Sequence, residues 1–327
     1  MKAAYYDIQG NAHDVLKIGE VSKPSPGPNE VLVRIYVSGI NPSDIKARTG
    51  FSASMPYARI IPHQDGAGVI EAVGENVSSE RLNERVWIYE AQYGRASGTA
   101  AEFVVVPTSQ AVRLPDNVSF ETGASLGIPA LTAHRCLFSD GDLKDRRVLI
   151  HGGAGVVGTA AILLAKWAGA WVVTTVRNAR QAAIAKINGA DLVLDHTAGD
   201  VANIIMANTD NQGVHHIVDV ALKENLDINL ACLTQGGVIS SYATSSATET
   251  ISVPLLKAMM HGCVLRFVYI YKVPMEVKKV SAEDINSCLE TGSYAPLIGL
   301  NLPLENIAGA HHTLEHSNVI GKVLIHI

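Results

Sequence analysis

Residues 147–176 read RVLIHGGAGVVGTAAILLAKWAGAWVVTTV. A β-branched run, a glycine-rich loop, an apolar helical pattern and a second β-branched run follow one another within this stretch. That order and length are typical of the strand–helix–strand unit that opens a dinucleotide-binding fold. Glycines at 153, 155 and 158 allow a tight turn, close approach of backbone to a pyrophosphate, and close packing of helix on strand. The candidate phosphate contacts are Gly153, Ala154, Gly155, Val156, Val157 and Gly158.

Strand and helix patterns continue to alternate after this unit. Apolar runs short enough for buried strands are separated by segments with helical periodicity. The predicted strands are 147–151, 171–176, 191–195, 215–220, 236–243 and 264–271. Six strands joined by crossover helices predict an α/β fold with a doubly wound parallel sheet.

The first 120 residues have a different character. Short β-branched runs at 30–40, 66–74, 84–90 and 100–107 are separated by Gly/Pro turns, which predicts an all-β unit. The segment after about residue 272 predicts one or two short helices and a final strand, GKVLIHI, that packs back on the β unit. A chain of 327 residues is also longer than one hydrophobic core usually supports, so we expect two domains.

Composition and charge exclude several classes of partner. The net charge is −5, so there is no excess of Lys and Arg to bind a nucleic acid backbone. No apolar stretch approaches the 18 residues of a membrane-spanning helix, and the N-terminal residues lack the apolar core of a signal peptide. We therefore expect a cytoplasmic protein with no membrane or nucleic acid partner.

The end of the second predicted strand bears on the choice of cofactor. An NAD site usually carries Asp or Glu there, to bind the ribose 2′-hydroxyl. Here the strand ends in Arg177, and Arg180 follows one turn later. An acid would repel a 2′-phosphate, whereas arginine binds it through charge-assisted hydrogen bonds. The sequence therefore predicts NADPH as the cofactor.

Several motifs, in this order, resemble the medium-chain dehydrogenase/reductase superfamily over essentially the whole chain. They are GINPSD (39–44), DGAGVIEAVG (65–74), ERVW (84–87), LPDNVSFETGASLGIPALTAHRCL (114–137) and the glycine loop. Within the superfamily, the chain is most similar to the zinc-independent quinone oxidoreductase (zeta-crystallin-like) group. The resemblance implies a GroES-like β-barrel catalytic domain at 1–121 plus 262–327, with a Rossmann dinucleotide-binding domain inserted at 122–261. It also implies a homodimer joined through the edge strand VLRFVYIY.

The segment IPHQDGAG (61–68) tests whether the chain keeps the catalytic zinc of other members. Aligned on Gly66, the zinc histidine of those members falls on Gln64, and their zinc cysteine falls on Asn41. Their third ligand falls near Ile128, while His63 replaces a glycine. Catalytic zinc needs three N, S or O ligands, which an amide and an aliphatic side chain do not supply. His312 and His316 are spaced as a helical metal pair, but we interpret them as a solvated helix face. We expect no metal.

The resemblance implies catalytic and acceptor-binding residues in the β unit. Asn41 would contact the nicotinamide ribose or a substrate oxygen, and Asp44 would fix its own loop rather than transfer a proton. Lys46 replaces a tyrosine of related quinone reductases; it would either donate to a developing oxyanion or be solvated. The candidate acceptor pocket comprises Phe51, Tyr89 and Tyr93, with core packing an equal alternative for Tyr89.

The resemblance also implies contacts to the cofactor. Thr132 would lie at its nicotinamide end, and His196 near the 2′-phosphate, unless it is an ordinary surface histidine. Tyr242 and Ala243 would lie under the nicotinamide, and Phe267, Val268 and Tyr269 would offer backbone groups to the carboxamide.

The implied reaction is hydride transfer from NADPH to a quinone or an α,β-unsaturated carbonyl. Such acceptors are already electrophilic, so hydrogen-bond donors are enough to stabilise the developing charge. Two alternatives stay open: a 2-alkenal or enoyl reductase of the same superfamily, and a non-catalytic NADPH-binding module.

Overall fold

The computed structural model describes residues 1–51, 53–197, 199–316 and 319–327. The chain divides into two compact units, Met1–Pro129 with Pro296–Ile327, and Ala130–Ala295. These bounds differ from the predicted domain boundaries by several residues at 121/122 and by more at 261/262. The second difference is larger because the strand at 264–267 pairs within the sheet of the second unit.

The first unit is mainly β. Its elements before the second unit are β1 (Lys2–Tyr5), α1 (Ala12–Val15), β2 (Lys17–Glu20), β3 (Glu30–Ile40), α2 (Pro42–Thr49), β4 (Asp65–Val73), β5 (Arg85–Ile88), β6 (Phe103–Pro107), β7 (Ala111–Arg113) and α3 (Phe120–Gly123). The four strands predicted at 30–40, 66–74, 84–90 and 100–107 correspond to β3, β4, β5 and β6.

The second unit alternates strands and helices. Its elements are α4 (Gly127–Phe138), which begins in the first unit, β8 (Arg147–His151), α5 (Val156–Trp167), β9 (Trp171–Val176), α6 (Ala179–Ile187), β10 (Leu192–Asp195), α7 (Val201–Ala207), β11 (Val214–Asp219), α8 (Leu222–Cys232), β12 (Leu233–Ser241), α9 (Leu255–His261), β13 (Val264–Phe267) and α10 (Met275–Glu290). The predicted fold class is confirmed.

The chain then returns to the first unit and completes its sheet. The last elements are β14 (Ile298–Pro303), α11 (Ile307–Glu315) and β15 (Lys322–His326). Across the described residues, the main sheet of the first unit has the order β14-β15-β3-β4-β5-β7, and β6 pairs with β3. β15 runs antiparallel to β3, with Val323 opposite Ile40, and Asp65 at the start of β4 lies opposite Gly39. Three strands therefore bring Lys322, Asn41 and Asp65 to one end of the sheet.

Local sequence explains where α2 begins and ends. Asn41 is the N-cap, Pro42 follows at the first helical position, and Asp44 completes a reciprocal capping box with Asn41. Gly50 ends the helix with φ 76°, a left-handed conformation that glycine adopts without a Cβ penalty. The capping box holds Asn41 at the end of β3.

The sheet of the second unit is parallel throughout its six described strands, in the order β10-β9-β8-β11-β12-β13. The chain order reverses between β8 and β11, and ligands of open α/β sheets bind at such a switch point. α5 packs beside it with eight consecutive residues, Gly158–Ala165, buried. A helix that is apolar on all sides is a core helix, so its N-terminus is held firmly at the switch point.

No helix in the described parts of the chain combines the length and apolar character needed to cross a membrane.

Candidate active site

The glycine loop of the second unit has no room for side chains at two positions. A Cβ on Gly153 would lie 2.1 Å from Oγ1 of Thr174 on the next strand, and one on Gly158 would lie 2.2 Å from the Gly152 carbonyl oxygen. Gly152 itself has φ 71°. On Gly155, by contrast, the nearest atom to an added Cβ is the Gly152 oxygen at 3.2 Å. Gly153 and Gly158 therefore fix the packing, and Gly155 leaves one face of the loop clear.

The helix that follows the loop starts without a side-chain cap. Gly155 is the N-cap residue of α5 and offers no side-chain hydrogen bond to the first turn. The first N–H groups of a helix have no intrahelical acceptor, and the helix dipole adds positive potential there. Val156 and Val157, half-buried, form the start of this turn. The arrangement suits a phosphate group.

Two candidate 2′-phosphate contacts lie side by side on neighbouring strands. β10 and β9 are parallel with Asp195 opposite Val176, so His196 and Arg177 each follow a paired residue. The His196 N–H donates to the Val176 carbonyl at 2.7 Å, and His196 Nδ1 is buried without a hydrogen-bond partner. Arg177 and Arg180 are both exposed. The backbone N–H of Arg177 donates to Gln181 Oε1, which leaves its guanidinium outside the capping interaction.

The candidate nicotinamide contacts follow the carboxyl ends of the parallel neighbouring strands β12 and β13. Tyr242 N–H donates to the Asp219 carbonyl at 3.3 Å, and Val268 N–H donates to the Ser241 carbonyl at 2.7 Å. Ala243 is exposed, and the side chains of Phe267 and Tyr269 are also exposed. Thr132 lies on α4 and is buried.

A buried polar network under the glycine loop was missed by the sequence analysis. His151, at the end of β8, shares a 2.8 Å hydrogen bond with Asn229 Oδ1, and Asn229 donates to Asp219 at 2.5 Å. Asp219 also accepts from Asn225 and from the Ala221 N–H. Burial lowers the pKa of His151, against the attraction of Asp219. The network ties β8 to β11 at the switch point, and polar residues at the ends of apolar strands were its only signal.

In the first unit, the ends of three strands and the first turn of α4 converge on the Asp65 carboxylate. Lys322 Nζ donates to Asp65 Oδ2 at 2.8 Å and to Asn41 Oδ1 at 2.7 Å. Asn41 Nδ2 donates to the same Oδ2 at 2.7 Å, and the Ile128 N–H donates to Asp65 Oδ1 at 2.9 Å. All three side chains are nearly inaccessible to solvent. A Cβ on Gly127 would lie 2.0 Å from Asp65 Oδ1, so the first turn of α4 can approach the carboxylate only because residue 127 is glycine.

This cluster contains two of the three positions at which the resemblance places zinc ligands, Asn41 and Ile128. The third, Gln64, donates to Gln92 Oε1 at 3.1 Å, and its own Oε1 is buried without a partner. His312 and His316 have ring centroids 4.0 Å apart. Among the described residues, no group of three or more His, Cys, Asp and Glu side chains that could hold a metal ion occurs.

Asp44 is buried beside this cluster. Its Oδ2 accepts the Asn41 N–H at 2.7 Å, while its Oδ1 has no hydrogen-bond partner. Burial, and then repulsion by Asp65, raise the pKa of Asp44 to about 8. Both causes favour the neutral form of the carboxyl group, and its Oδ2 ties the first turn of α2 to the Asn41 N–H.

Of the candidate acceptor residues, Phe51 and Tyr93 are half-buried, whereas Tyr89 lies in the core. Lys46 Nζ lies 4.5 Å from the centroid of the Phe51 ring, and both side chains are half-buried. Tyr57 donates to the Gly94 carbonyl at 2.5 Å, next to the half-buried Tyr93. Tyr89 is instead buried, with its hydroxyl donating to the Ser109 carbonyl at 3.1 Å. Its position favours core packing over the pocket.

His63 has a left-handed backbone, with φ 81°, although it is not glycine. That conformation costs an L-residue on the order of 1–3 kcal/mol. The resemblance places a glycine of other members at this position, which explains why the backbone has this shape. Contacts of the imidazole must offset the cost.

Comparisons with known proteins agree with this architecture. A family model described as "Zinc-binding dehydrogenase" matches residues 156–285, and one described as "Alcohol dehydrogenase GroES-like domain" matches residues 27–116. The quinone oxidoreductase of Mus musculus is 31% identical over 317 residues, which span 95% of this chain and 94% of that protein.

Solved structures show the same fold over the full chain. The mycobacterial protein Rv1454c, complexed with NADPH, is 26% identical with a TM-score of 0.86, and 100% of each chain is covered. A structure of an NAD-dependent alcohol dehydrogenase is 25% identical with a TM-score of 0.89, again with 100% of each chain covered.

The GroES-like and Rossmann-type units together define a medium-chain dehydrogenase/reductase, a superfamily of oxidoreductases that bind a nicotinamide cofactor. The 31% identity to the Mus musculus quinone oxidoreductase, over almost the whole length of both chains, narrows the assignment from the superfamily to one of its groups. The chain belongs to the quinone oxidoreductase group of that superfamily. The predicted family is confirmed.

Replacing Lys322 with Met tests the buried cluster. Removing one member of a buried ion pair leaves an uncompensated charge, so we expect the free energy of unfolding to fall by about 3–5 kcal/mol. Urea denaturation measures it. In the double variant with Asp65→Asn, both charges are absent and most of the loss should be recovered. If the free energy of unfolding of the Lys322→Met protein were within about 1 kcal/mol of the wild-type value, a structural role for the pair would be contradicted.

Proposed function

We propose that this protein transfers hydride from NADPH to a quinone or an α,β-unsaturated carbonyl compound. The observation that carries the proposal is the uncapped N-terminus of α5, with Arg177 rather than an acid at the end of the adjacent strand. The relative solved with NADPH and the quinone oxidoreductase relatives support it.

The second unit would hold the cofactor by its phosphates. The backbone N–H groups of Gly155 to Gly158 bind the pyrophosphate, and the exposed guanidinium groups of Arg177 and Arg180 bind the 2′-phosphate. His196, whose backbone N–H donates to the Val176 carbonyl and whose Nδ1 has no partner, would add a further hydrogen-bonding group. Tyr242, Ala243 and the 267–269 segment would support the nicotinamide end.

Bound NADPH supplies the hydride, and the first unit would stabilise the charge left on the acceptor oxygen. Lys46 is a half-buried cation beside the Phe51 ring, and an ammonium group has three N–H donors for a developing oxyanion. Lys322 and Asn41 both donate to Asp65, and Lys322 also donates to Asn41, so they would fix the local geometry of this unit. Asp44, whose pKa is raised by burial, would keep the loop of Asn41 in place through its hydrogen bond from the Asn41 N–H.

One alternative to this proposal is an enzyme with a different acceptor, and the other is a protein that binds NADPH without catalysing a reaction. Lys46 in the place of a tyrosine favours a 2-alkenal or enoyl reductase over a quinone reductase. A non-catalytic NADPH-binding module would need the phosphate site but no acceptor.

A consumption assay separates these functions. NADPH oxidation is followed with 1,4-naphthoquinone, crotonaldehyde and an enoyl thioester, and NADH is tested in parallel. We expect turnover with at least one acceptor and a preference for NADPH. Turnover only with crotonaldehyde or the thioester would select the alternative enzyme. If NADPH binds but no acceptor is reduced, the protein is a binding module.

Arg177→Gln tests the cofactor assignment. Hydrogen bonds to charged groups contribute about 1.5–3 kcal/mol, so loss of one should raise the KM for NADPH roughly 10- to 150-fold and leave the KM for NADH unchanged. Lys186→Gln, at an exposed basic residue in the last turn of α6, is the control and should change neither value. An equal change for both cofactors would contradict 2′-phosphate recognition.

We also propose that two copies of the chain associate through the edge strand β13. Within the described sheet β13 has a partner on one side only, β12. Next to it, α9 exposes Leu255, Leu256, Met259 and Met260, each 67–71% accessible, and Phe267 is 68% accessible. An unpaired edge beside a contiguous apolar face is an aggregation hazard unless another chain covers it.

Sedimentation tests this assembly. Wild-type protein should sediment at twice the mass of one chain, and Met260→Glu should shift it toward the monomer because a charge would be buried in an apolar contact. Ile187→Glu is the matched control, since Ile187 is 85% exposed on α6, outside this face. A wild-type monomer at micromolar concentration, or equal dissociation by both variants, would refute the proposal.

A further inference from the structure

A line of buried polar side chains connects α11 to β4 through the strained His63. Arg48 donates through Nε to His311 Nδ1 at 3.4 Å, and His311 Nε2 lies 2.8 Å from His63 Nε2. His63 Nδ1 lies 2.8 Å from Ser38 Oγ. The line continues from Ser38 Oγ to Thr99 Oγ1 at 2.7 Å, and from Thr99 to the Asp65 carbonyl oxygen at 2.5 Å. All these side chains are buried, and both imidazoles are fully enclosed.

The two ends of this line determine the direction of every hydrogen bond in it. Thr99 has one hydroxyl hydrogen, which it donates to the Asp65 carbonyl, so Ser38 must donate to Thr99. Ser38 therefore accepts from His63, which must carry its proton on Nδ1. His63 Nε2 is then an acceptor, and it receives the proton on His311 Nε2.

The same result follows from the other end. His311 Nδ1 accepts from Arg48, so the His311 proton is on Nε2. The ring planes differ by 19° and the centroids are 5.1 Å apart, so the two Nε2 atoms face each other. Five donors thus point one way, from Arg48 to Asp65.

Both rings must be neutral for this arrangement to exist. A second proton on His63 would be on Nε2 and would oppose the His311 Nε2–H, and a second proton on His311 would be on Nδ1 and would oppose the Arg48 Nε–H. Burial, and then Lys322, lower the pKa of His63 to about 3. Burial, then His63 and Arg48, hold the pKa of His311 well below its usual range. At the two ends of the line, Glu315 pairs with Arg48 at 2.6 Å and the Asp65 peptide oxygen accepts from Thr99.

The line is not suited to carrying protons, because neither end exchanges one. An arginine guanidinium does not deprotonate in proteins, and a peptide carbonyl does not accept a proton at ordinary pH. What the line does is fix geometry: it holds His63 in its left-handed backbone and pins the peptide oxygen of Asp65. Thr99 N–H also donates to the His63 carbonyl at 3.1 Å, and Ala91 N–H to the Gln64 carbonyl at 3.0 Å.

We infer that His63 and His311 are positioning residues: their one-way hydrogen-bond chain from Arg48 ends on the Asp65 peptide oxygen, and it thereby places the Asp65 carboxylate that binds Asn41 and Lys322 in the first unit. The inference rests on the proposed function, since it assigns a consequence for turnover. The tautomers that it assigns to His63 and His311 do not depend on which acceptor is reduced.

Nuclear magnetic resonance of protein labelled with ¹⁵N-histidine tests the tautomers directly. The two rings are identified by the loss of their signals in His63→Gly and His311→Gln. At neutral pH, His63 should carry its proton on Nδ1 and His311 on Nε2. A proton on Nε2 of His63, or a cationic state of either ring, would overturn the chain.

Two substitutions at one position test the consequence for turnover. His311→Leu keeps the volume and removes both nitrogens, whereas His311→Gln keeps an amide donor toward His63. We expect His311→Leu to lower kcat about 10- to 100-fold, the effect of a displacement on the order of 1 Å, without changing the affinity for NADPH. His311→Gln should restore most of that loss. His312→Gln, at the exposed neighbouring residue, is the control.

Amide hydrogen exchange separates this inference from the proposed function. The Ile128 N–H donates to the Asp65 carboxylate, so its exchange should accelerate in His311→Leu and return toward wild type in His311→Gln. A lowered melting temperature with unchanged kcat and unchanged Ile128 exchange would show a merely structural pair and overturn the inference. If wild-type protein reduces no acceptor, the proposed function fails, and the tautomers and the exchange rates still decide the positioning.

Discussion

The Asp65 carboxylate is the constraint on which the first unit depends. It is fully buried, and it is compensated by one ammonium group, one side-chain amide and one backbone N–H. A buried carboxylate is tolerated only when its charge and its lone pairs are satisfied, so each of these partners is required. Because the partners come from β15, from the end of β3 and from the first turn of α4, the carboxylate also fixes where those three segments meet.

The second unit is organised around a different requirement, the close approach of backbone to backbone. Gly153 and Gly158 are needed because a Cβ at either position would overlap a neighbouring atom. The His151–Asn229–Asp219 network then holds β8 and β11 together beneath the loop. A phosphate site built from N–H groups works only if the backbone does not shift, and these contacts supply that rigidity.

The fold was predictable because its signals are local. Six apolar runs with intervening helical periodicity predicted the parallel sheet, and the glycine loop predicted the dinucleotide-binding unit within it. The candidate site was predictable only in part. Asn41, Gln64 and His63 were found through a motif, but Lys322 and His311 lie in a tail whose pattern shows a strand and a helix without revealing their partners. Tyr89 illustrates the same limit: an aromatic residue after a strand has one pattern whether it faces a pocket or the core.

The strand β15 has a consequence for how the protein is made. Lys322 is separated from Asp65 by 257 residues, yet the two form a buried pair. During synthesis the second unit, which is continuous in sequence, is complete before the ribosome reaches the last strand. The Asp65 carboxylate lacks its ammonium partner until residue 322 leaves the exit tunnel, because Lys322 is translated 257 residues after it. The N-terminal β unit is therefore expected to fold after the unit inserted into it, in an order opposite to that of the sequence.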